Sequence, residues 1–306
     1  MTQGSIAVSV HMITYNHAAF IRQAMESVLA QQTSHEWELV VGDDCSTDGT
    51  AEIVKEVAAR YPRFVRVLHS DHNLGMHRNS QRTVAACRGR YLALLEGDDF
   101  WIDAAKIQKQ ADYLDRNPEV MLTGAGVLLR QESGNKIAGR WTAEAEAVRG
   151  LQEILRSNFL PNCTVMIRRE AYFDHPTLAS LALGDWPRWI LAATKGRIHV
   201  SPEIMATYRL HSGGVWSHRS PADRKARVEE MFAVVRELLP RDPATVAAIA
   251  DGLLHTQISL VNEMFERRMP ADWLRGVFSL VRSTRSLRQI RDLAGLISPL
   301  RNYLLR

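Results

Sequence analysis

Apolar residues follow two alternating rhythms over the first 118 positions. Short blocks rich in Val, Ile and Leu predict strands over 6–13, 37–41, 64–68 and 91–95, the last ending at Glu96. Between them lie segments of helical spacing. Residues 18–31 carry Phe20, Ile21, Met25, Val28 and Leu29 on one face. Helices are also expected over 48–60, capped by Ser46 or Thr47, over 79–87, and over 104–116, stopped by Asn117 and Pro118. Strands and helices alternating at this spacing imply right-handed βαβ crossovers and a Rossmann-like α/β fold, a mostly parallel sheet flanked by helices.

The rhythm breaks after residue 119. A longer strand is expected over 120–129, a turn at Gly134 and Asn135, a short helix over 151–156, a strand over 164–167, a helix over 186–194 ended by Gly196, and two short strands over 198–200 and 204–208. From Pro221 the spacing is helical throughout, over 222–239, 243–265, 271–281 and 285–305, with Pro299 interrupting the last. The expected organisation is an α/β domain over 1–220, with a nucleotide-binding half (1–118) and an acceptor half (119–220), followed by a helical extension over 221–306. The length of 306 residues accommodates this and buries a core without staples.

Composition narrows the class. A 46% hydrophobic content with 18 Gly and 11 Pro excludes a disordered or collagen-like chain. Three widely spaced cysteines, Cys45, Cys87 and Cys163, make neither a disulfide framework nor an all-cysteine zinc site, so a reducing, cytoplasmic compartment is expected. No apolar run approaches the ~18 residues of a membrane span, and the opening MTQGS does not resemble a secretory signal. The net charge of +4 is concentrated in the tail. Residues 271–306 hold seven Arg against Asp272 and Asp292, leaving residues 1–270 near −1. A nearly neutral main domain argues against nucleic acid as the partner.

In parallel sheets ligands bind beyond the carboxyl ends of the strands. Those ends are acidic here: Asp43 and Asp44 follow the second strand, and Glu96, Asp98 and Asp99 follow the fourth. Such clusters repel one another unless a cation lies between them. Helix capping by Asp48 or Asp44 is the alternative for a single acid, and it does not account for five acids at equivalent positions.

Four segments in order, Thr14-Tyr15-Asn16-His17, Asp43-Asp44-Cys45-Ser46, Glu96-Gly97-Asp98-Asp99 and Tyr208-Arg209-Leu210-His211, carry a resemblance. From about Ser5 to Trp216 the chain resembles the family 2 glycosyltransferases of GT-A fold, in their bacterial polysaccharide-assembly branch. The resemblance implies a nucleotide pocket of Thr14, Tyr15, Asn16, Asp43, Asp44, Glu96, Gly97 and Asp98, with Asp43 on the pyrimidine base of a UDP- or dTDP-sugar. It implies Asp98 as principal ligand of Mn²⁺ or Mg²⁺, Asp185 as general base, and Arg209, His211 and Trp216 in a loop closing over the diphosphate, with His211 also completing the metal shell. Glu96 stands where the family usually has Asp, and Gly184 stands where a Glu usually precedes the base. The implied reaction is inverting sugar transfer to a hydroxyl of a glycan or lipid-linked acceptor in cell-surface polysaccharide synthesis, at the inner face of the plasma membrane.

The chemistry agrees with those residue types. A hard divalent cation on oxygen ligands stabilises a leaving diphosphate, a separate carboxylate takes the acceptor proton, and a closing loop excludes water. Asn162 lies in a formal sequon, discounted without a secretory signal, and the resemblance places it at a sugar site or a buried strand start. Arg78 is a candidate donor contact. Trp186 and Trp189 either stack on an acceptor sugar or belong to the core. His69, His72 and His77 suggest loop histidines rather than zinc, and the Asp44–Lys55 segment lacks the final Glu of a calcium loop. The basic tail, with Trp273, Leu274, Val277, Phe278, Arg275, Arg282, Arg285, Arg288 and Arg291, suits either peripheral membrane contact or packing on the protein, including in a homo-oligomer. The competing readings are a nucleotidyltransferase, which would place a Gly-rich basic loop after the first strand, and a non-catalytic nucleotide-sugar-binding scaffold.

Overall fold

The computed structural model of the protein describes residues 5–132, 136–173, 175–214, 219–266, 273 and 275–277. They divide between two compact units. The first takes Met1–Gly150, Phe159–Ala179 and Leu191–Ser212; the second takes Leu151–Asn158, Ser180–Ile190 and Gly213–Arg306. This differs from a single boundary at residue 220, because the short α5 (Leu151–Arg156) packs against the C-terminal α8 (Pro243–Glu266).

The first unit opens with β1 (Val8–Thr14), α1 (Ile21–Leu29), β2 (Trp37–Asp43), α2 (Thr50–Arg60), β3 (Val65–Leu68), α3 (Met76–Ala86) and β4 (Tyr91–Glu96). β1 is buried along its length, with Val8, Val10 and Met12 on one face and Ser9 and His11 on the other, as a central strand covered on both sides must be. The Ser9 hydroxyl donates to Glu38 (2.7 Å), and Arg88 (2.7 Å) and Arg66 (3.1 Å) pair with the same buried carboxylate. The buried charge is thereby satisfied. Ile21, Ala24, Met25 and Val28 form the inward stripe of α1.

The sheet order is β3-β2-β1-β4-β9-β6-β10-β5, with β7 beside β6 and β8 beside β10. The remaining elements are β5 (Phe100–Trp101), α4 (Lys106–Arg116), β6 (Val120–Gln131), β7 (Lys136–Trp141), β8 (Ala147–Arg149), β9 (Met166–Arg168) and β10 (Arg197–Leu210). The β3-β2-β1-β4 half is wholly parallel, as expected. β9 then pairs antiparallel with both β4 and β6, while β10 runs parallel to β6. Chain order reverses at β1, which puts the binding crevice at the carboxyl ends of β1 and β4.

Several elements differ from the sequence expectation. α3 begins at Met76, three residues early. The strands expected over 198–200 and 204–208 are one strand, β10, whose register shifts between Val200 and Ile204 absorb Pro202. β5, β7 and β8 were not anticipated. α2 is not capped by Ser46 or Thr47: Gly49 precedes it at φ 96°, and Asp48 Oδ1 accepts from Thr50 N (3.0 Å).

The second unit holds α5, the start of α6 (Trp186–Ala193), α7 (Pro221–Leu238) and α8. Ser220 Oγ caps α7 by accepting from Asp223 N (3.1 Å), with Pro221 in the first turn. Contrary to the sequence reading, one apolar run does reach membrane-spanning length: Pro243–Met264, with mean hydropathy 1.3. Its Ile249, Leu254, Leu260, Val261 and Met264 are buried, against α5 and α7 on one side. Trp273 and Val277, partly buried, pack on Leu254 and Val261. The other tail residues singled out above lie outside the described residues, apart from Arg275, which is exposed.

Candidate active site

Because β1, β2 and β4 are parallel and in register, Thr14 stands beside Asp43, and Ile13 beside Glu96. The loops that follow are cross-linked. Asn16 adopts φ 56° and Cys45 φ 61°. Thr47 N donates to Asn16 Oδ1 (2.9 Å), and Asn16 N donates to Ser46 Oγ (3.0 Å). Tyr15 is left open, its ring 45% exposed.

The adjacent carboxylates of Asp43 and Asp44 have different surroundings. Asp43 is buried, accepts from Ser46 Oγ (2.5 Å) and lies 3.2 Å from His69 Nδ1. Asp44 is also buried, but both its oxygens take backbone N–H groups, of Leu74 (2.8 Å) and Gly75 (2.9 Å), and so fasten the loop leading into α3. Its place is a loop clamp. Arg82 of α3 braces the same region by donating to the carbonyls of Asp43, Leu68 and His69.

Asp98 lies in the turn between β4 and β5. Its Oδ2 is 3.0 Å from His211 Nε2 and 3.8 Å from His17 Nε2. Burial pushes this carboxyl upward, but the His211 hydrogen bond and the two imidazoles outweigh it and hold Asp98 below its ordinary range. The same hydrogen bond raises His211, whereas burial lowers His17. Asp99 is pushed well above the carboxylate range, first by burial and then by the charges of Asp98 and Glu96, and accepts from Arg209 N (2.8 Å). The Arg209 guanidinium donates to the Asp98 carbonyl and to Gln23, and lies 4.4 Å from the Phe100 ring centre. Gly97 is required by space: a Cβ there would stand 2.6 Å from Thr14 Oγ1 and 3.0 Å from His17 Nδ1. Those two buried atoms have no hydrogen-bond partner among the described residues.

This donor set fits a divalent cation. Asp98 and His211 supply one hard oxygen and one imidazole side by side, and the orphaned Thr14 and His17 atoms mark polar space at the same turn. Among the described residues no group of three or more His, Cys, Asp or Glu side chains forms a complete cage.

The other expected residues fall as follows. Asn162 donates to Glu96 Oε1, next to the acidic turn. Arg78 is exposed on α3 and makes no hydrogen bond or ion pair with the strand-end acids. Trp216 lies outside the described residues. Asp185 belongs to the second unit, where Asn158 Nδ2 donates to its Oδ2 (3.2 Å). Burial raises its pKa, against the opposing pull of backbone amides, Asn158 and Arg188. Trp186 does not present a face for sugar stacking: it is 6% exposed, donates to the Ile154 carbonyl (2.7 Å) and packs edge-on against Phe232. Trp189 is fully buried. Sequence reasoning gave no role to His17, Gln23 or Arg82, and took His69 for a loop histidine. Only His17, inside the first strand-end segment, was flagged by position.

A parallel half-sheet with acidic turns after β2 and β4, continued by a mixed sheet, defines a GT-A fold. The family model for glycosyl transferase family 2 matches residues 9–174, and the chain belongs to that family. It is 37% identical over 219 residues to an uncharacterised protein of Mycobacterium tuberculosis (Rv1520), covering 71% of this chain and 62% of that one. The chain thus spans about three-fifths of the length of these mycobacterial relatives. It is 28% identical over 229 residues to TuaG of Bacillus subtilis, named for glycosyl transfer in teichuronic acid biosynthesis, covering 74% of this chain and 87% of TuaG. Among solved structures, Staphylococcus aureus TarS 1–349 with UDP-GlcNAc superposes with a TM-score of 0.66 at 19% identity, over 91% of this chain and 82% of that one. The mannosyltransferase PcManGT of Pyrobaculum calidifontis, with GDP-Man and Mn²⁺, gives 0.63 at 15% identity, over 98% and 84%.

Proposed function

We propose that the protein is an inverting, divalent-metal-dependent glycosyltransferase that moves a sugar from a UDP- or dTDP-sugar to a hydroxyl of a glycan or lipid-linked acceptor in bacterial cell-surface polysaccharide synthesis. The carrying observation is the Asp98 carboxylate held against His211 at the carboxyl end of β4, beside the strand ends of β1 and β2. Support also comes from the UDP-GlcNAc and GDP-Man held by the two structural neighbours and from the teichuronic acid role in TuaG's name. A nucleotidyltransferase is disfavoured by family membership.

In this reading the exposed Tyr15 ring and the Asp43 carboxylate receive the base, and Asn16 and Ser46 hold their loops in place. Mn²⁺ or Mg²⁺ would be held by Asp98 and His211, and when bound it neutralises charge gathering on the leaving diphosphate. Asn162 orients Glu96 at the same turn. Asp185 takes the proton of the acceptor hydroxyl, and its raised pKa makes it a stronger base than an ordinary aspartate. A single base opposite the leaving group inverts the anomeric centre. A lipid-linked acceptor would bring the enzyme to the cytoplasmic face of the membrane, and the excess of arginine over acid in residues 271–306 suits attraction to anionic headgroups.

The test is a thermal-shift and calorimetric screen of UDP, dTDP and GDP and their sugars, with and without Mn²⁺. Metal-dependent stabilisation by UDP or dTDP is the expected result. Absence of any nucleotide effect would overturn the reading, and a preference for GDP would overturn the donor assignment.

A further inference from the structure

Two arginines stand side by side at the carboxyl ends of β6 and β10. Arg130 and Arg209 are register partners on these parallel strands, and both guanidiniums lie over Phe100, at 5.8 Å and 4.4 Å from its ring centre. Their states differ. Arg209 spends its donors on the protein, on Gln23 and the Asp98 carbonyl, with its backbone N–H on Asp99. Arg130 has a buried Nε without a hydrogen-bond partner, and among the described residues its guanidinium makes no hydrogen bond or ion pair.

Like charges on neighbouring strands are unfavourable without a counter-charge. Arg130 in fact lowers the pKa of Arg209, a smaller effect than burial and the opposing pulls of Asp99 and Asp98. Glu132, two residues along β6 and its continuation, acts favourably on Arg209 and His211 but forms no ion pair with Arg130 among the described residues. A forked cation with open donors, beside an arginine already tied to Gln23 and the Asp98 carbonyl, suits an anion with several acceptor oxygens. Phe100 carries it on the sequence-adjacent side of the Asp98–Asp99 turn.

We propose that Arg130 is a phosphate-oxygen ligand of the site, so that the open anion contact belongs to Arg130 and not to Arg209, whose donors brace the acidic turn. The inference rests on the glycosyl-transfer reading for its location. The phosphate has two possible sources, the diphosphate of the donor or a phosphate group of the acceptor.

The experiment measures binding of UDP, inorganic pyrophosphate and glycerol 3-phosphate, with Mn²⁺, to the full chain and to Arg130→Gln and Arg130→Lys, by calorimetry. Thermal midpoints verify folding, and Arg130→Lys serves if the glutamine variant does not fold. One charged hydrogen bond lost predicts binding about tenfold weaker in Arg130→Gln, with Arg130→Lys intermediate. Weaker UDP and pyrophosphate binding assigns the contact to the donor. Weaker glycerol 3-phosphate binding alone assigns it to an acceptor phosphate. Unchanged binding of all three probes, or no binding of any by the unsubstituted chain, overturns the proposal. If the chain ignores nucleotides yet binds pyrophosphate through Arg130, the glycosyl-transfer reading fails and the Arg130 contact stands.

Discussion

His211 Nε2 lies 3.0 Å from Asp98 Oδ2, joining the end of the last strand of the first unit to the acidic turn after β4. The pair holds Asp98 ionised and His211 easier to protonate, each stabilising the charge of the other. Asp98 and His211 would have to be deprotonated to hold a cation, so binding should weaken as pH falls and His211 becomes protonated. Asp98→Ala is expected to abolish Mn²⁺-dependent binding of UDP. His211→Ala should weaken it by roughly 10–100-fold, as for loss of a supporting metal contact. Calorimetric titration with and without Mn²⁺ checks both. Equal UDP affinity in Asp98→Ala would remove Asp98 from the metal site.

Asp44 predicts a stability effect where its neighbour Asp43 predicts a binding effect. Asp44→Ala leaves the amides of Leu74 and Gly75 without their carboxylate, although Gly75 N keeps Asn73 Oδ1 at 3.0 Å. The expected cost is roughly 2–4 kcal/mol. Asp44→Asn retains one acceptor oxygen and should cost about half as much. Urea unfolding measures both. Asp43→Ala, by contrast, should reduce nucleotide affinity more than stability.

The two aspartates show how far the sequence was legible. Consecutive residues at a strand end look equivalent in sequence, but Asp43 is the last residue of β2 and Asp44 the first beyond it, one bonded to Ser46 and His69 and the other to the loop before α3. The buried strands β1, β2 and β4 were readable because both faces are apolar enough to form continuous runs. β7 was not, because most of its residues are exposed and carry no alternation. β5 is two residues long and exists only through its pairing with Ala206 and Thr207. Pro202 divided β10 in the sequence but not in the sheet. Gln23 meets Arg209, and Arg130 stands beside it, only through strand register and folding across long stretches of chain, which no local pattern records.

Asp185→Asn tests the base assignment separately from donor binding. Transfer to acceptor should fall by at least about 100-fold, the usual worth of a general base, while Mn²⁺-dependent UDP affinity stays within about twofold. Retained transfer would move the role elsewhere. Loss of UDP affinity would mean that Asp185 shapes the donor pocket instead.

Lys106 gives a pH dependence that lies apart from catalysis. Its ammonium is fully buried, 4.1 Å from the Trp101 ring centre, and donates only to Gln110 Oε1 (2.7 Å). Burial lowers its pKa from 10.5 to about 7, against weaker pulls from Cys163 and Asp103. The sign follows from proton counting. Between about pH 7 and 10.5 the unfolded chain holds a proton on this amine that the folded chain has released, so stability rises with pH across that window and is flat below it. The slope from this one group is at most about 1.4 kcal/mol per pH unit. Lys106→Met, which keeps the volume and removes the charge, should flatten the dependence between pH 7 and 9 in denaturant titrations. It should also stabilise the protein most at and below about pH 7, where the buried amine of the native chain still carries its proton. An unchanged slope in Lys106→Met would show that another group sets the pH dependence and that the buried amine remains charged.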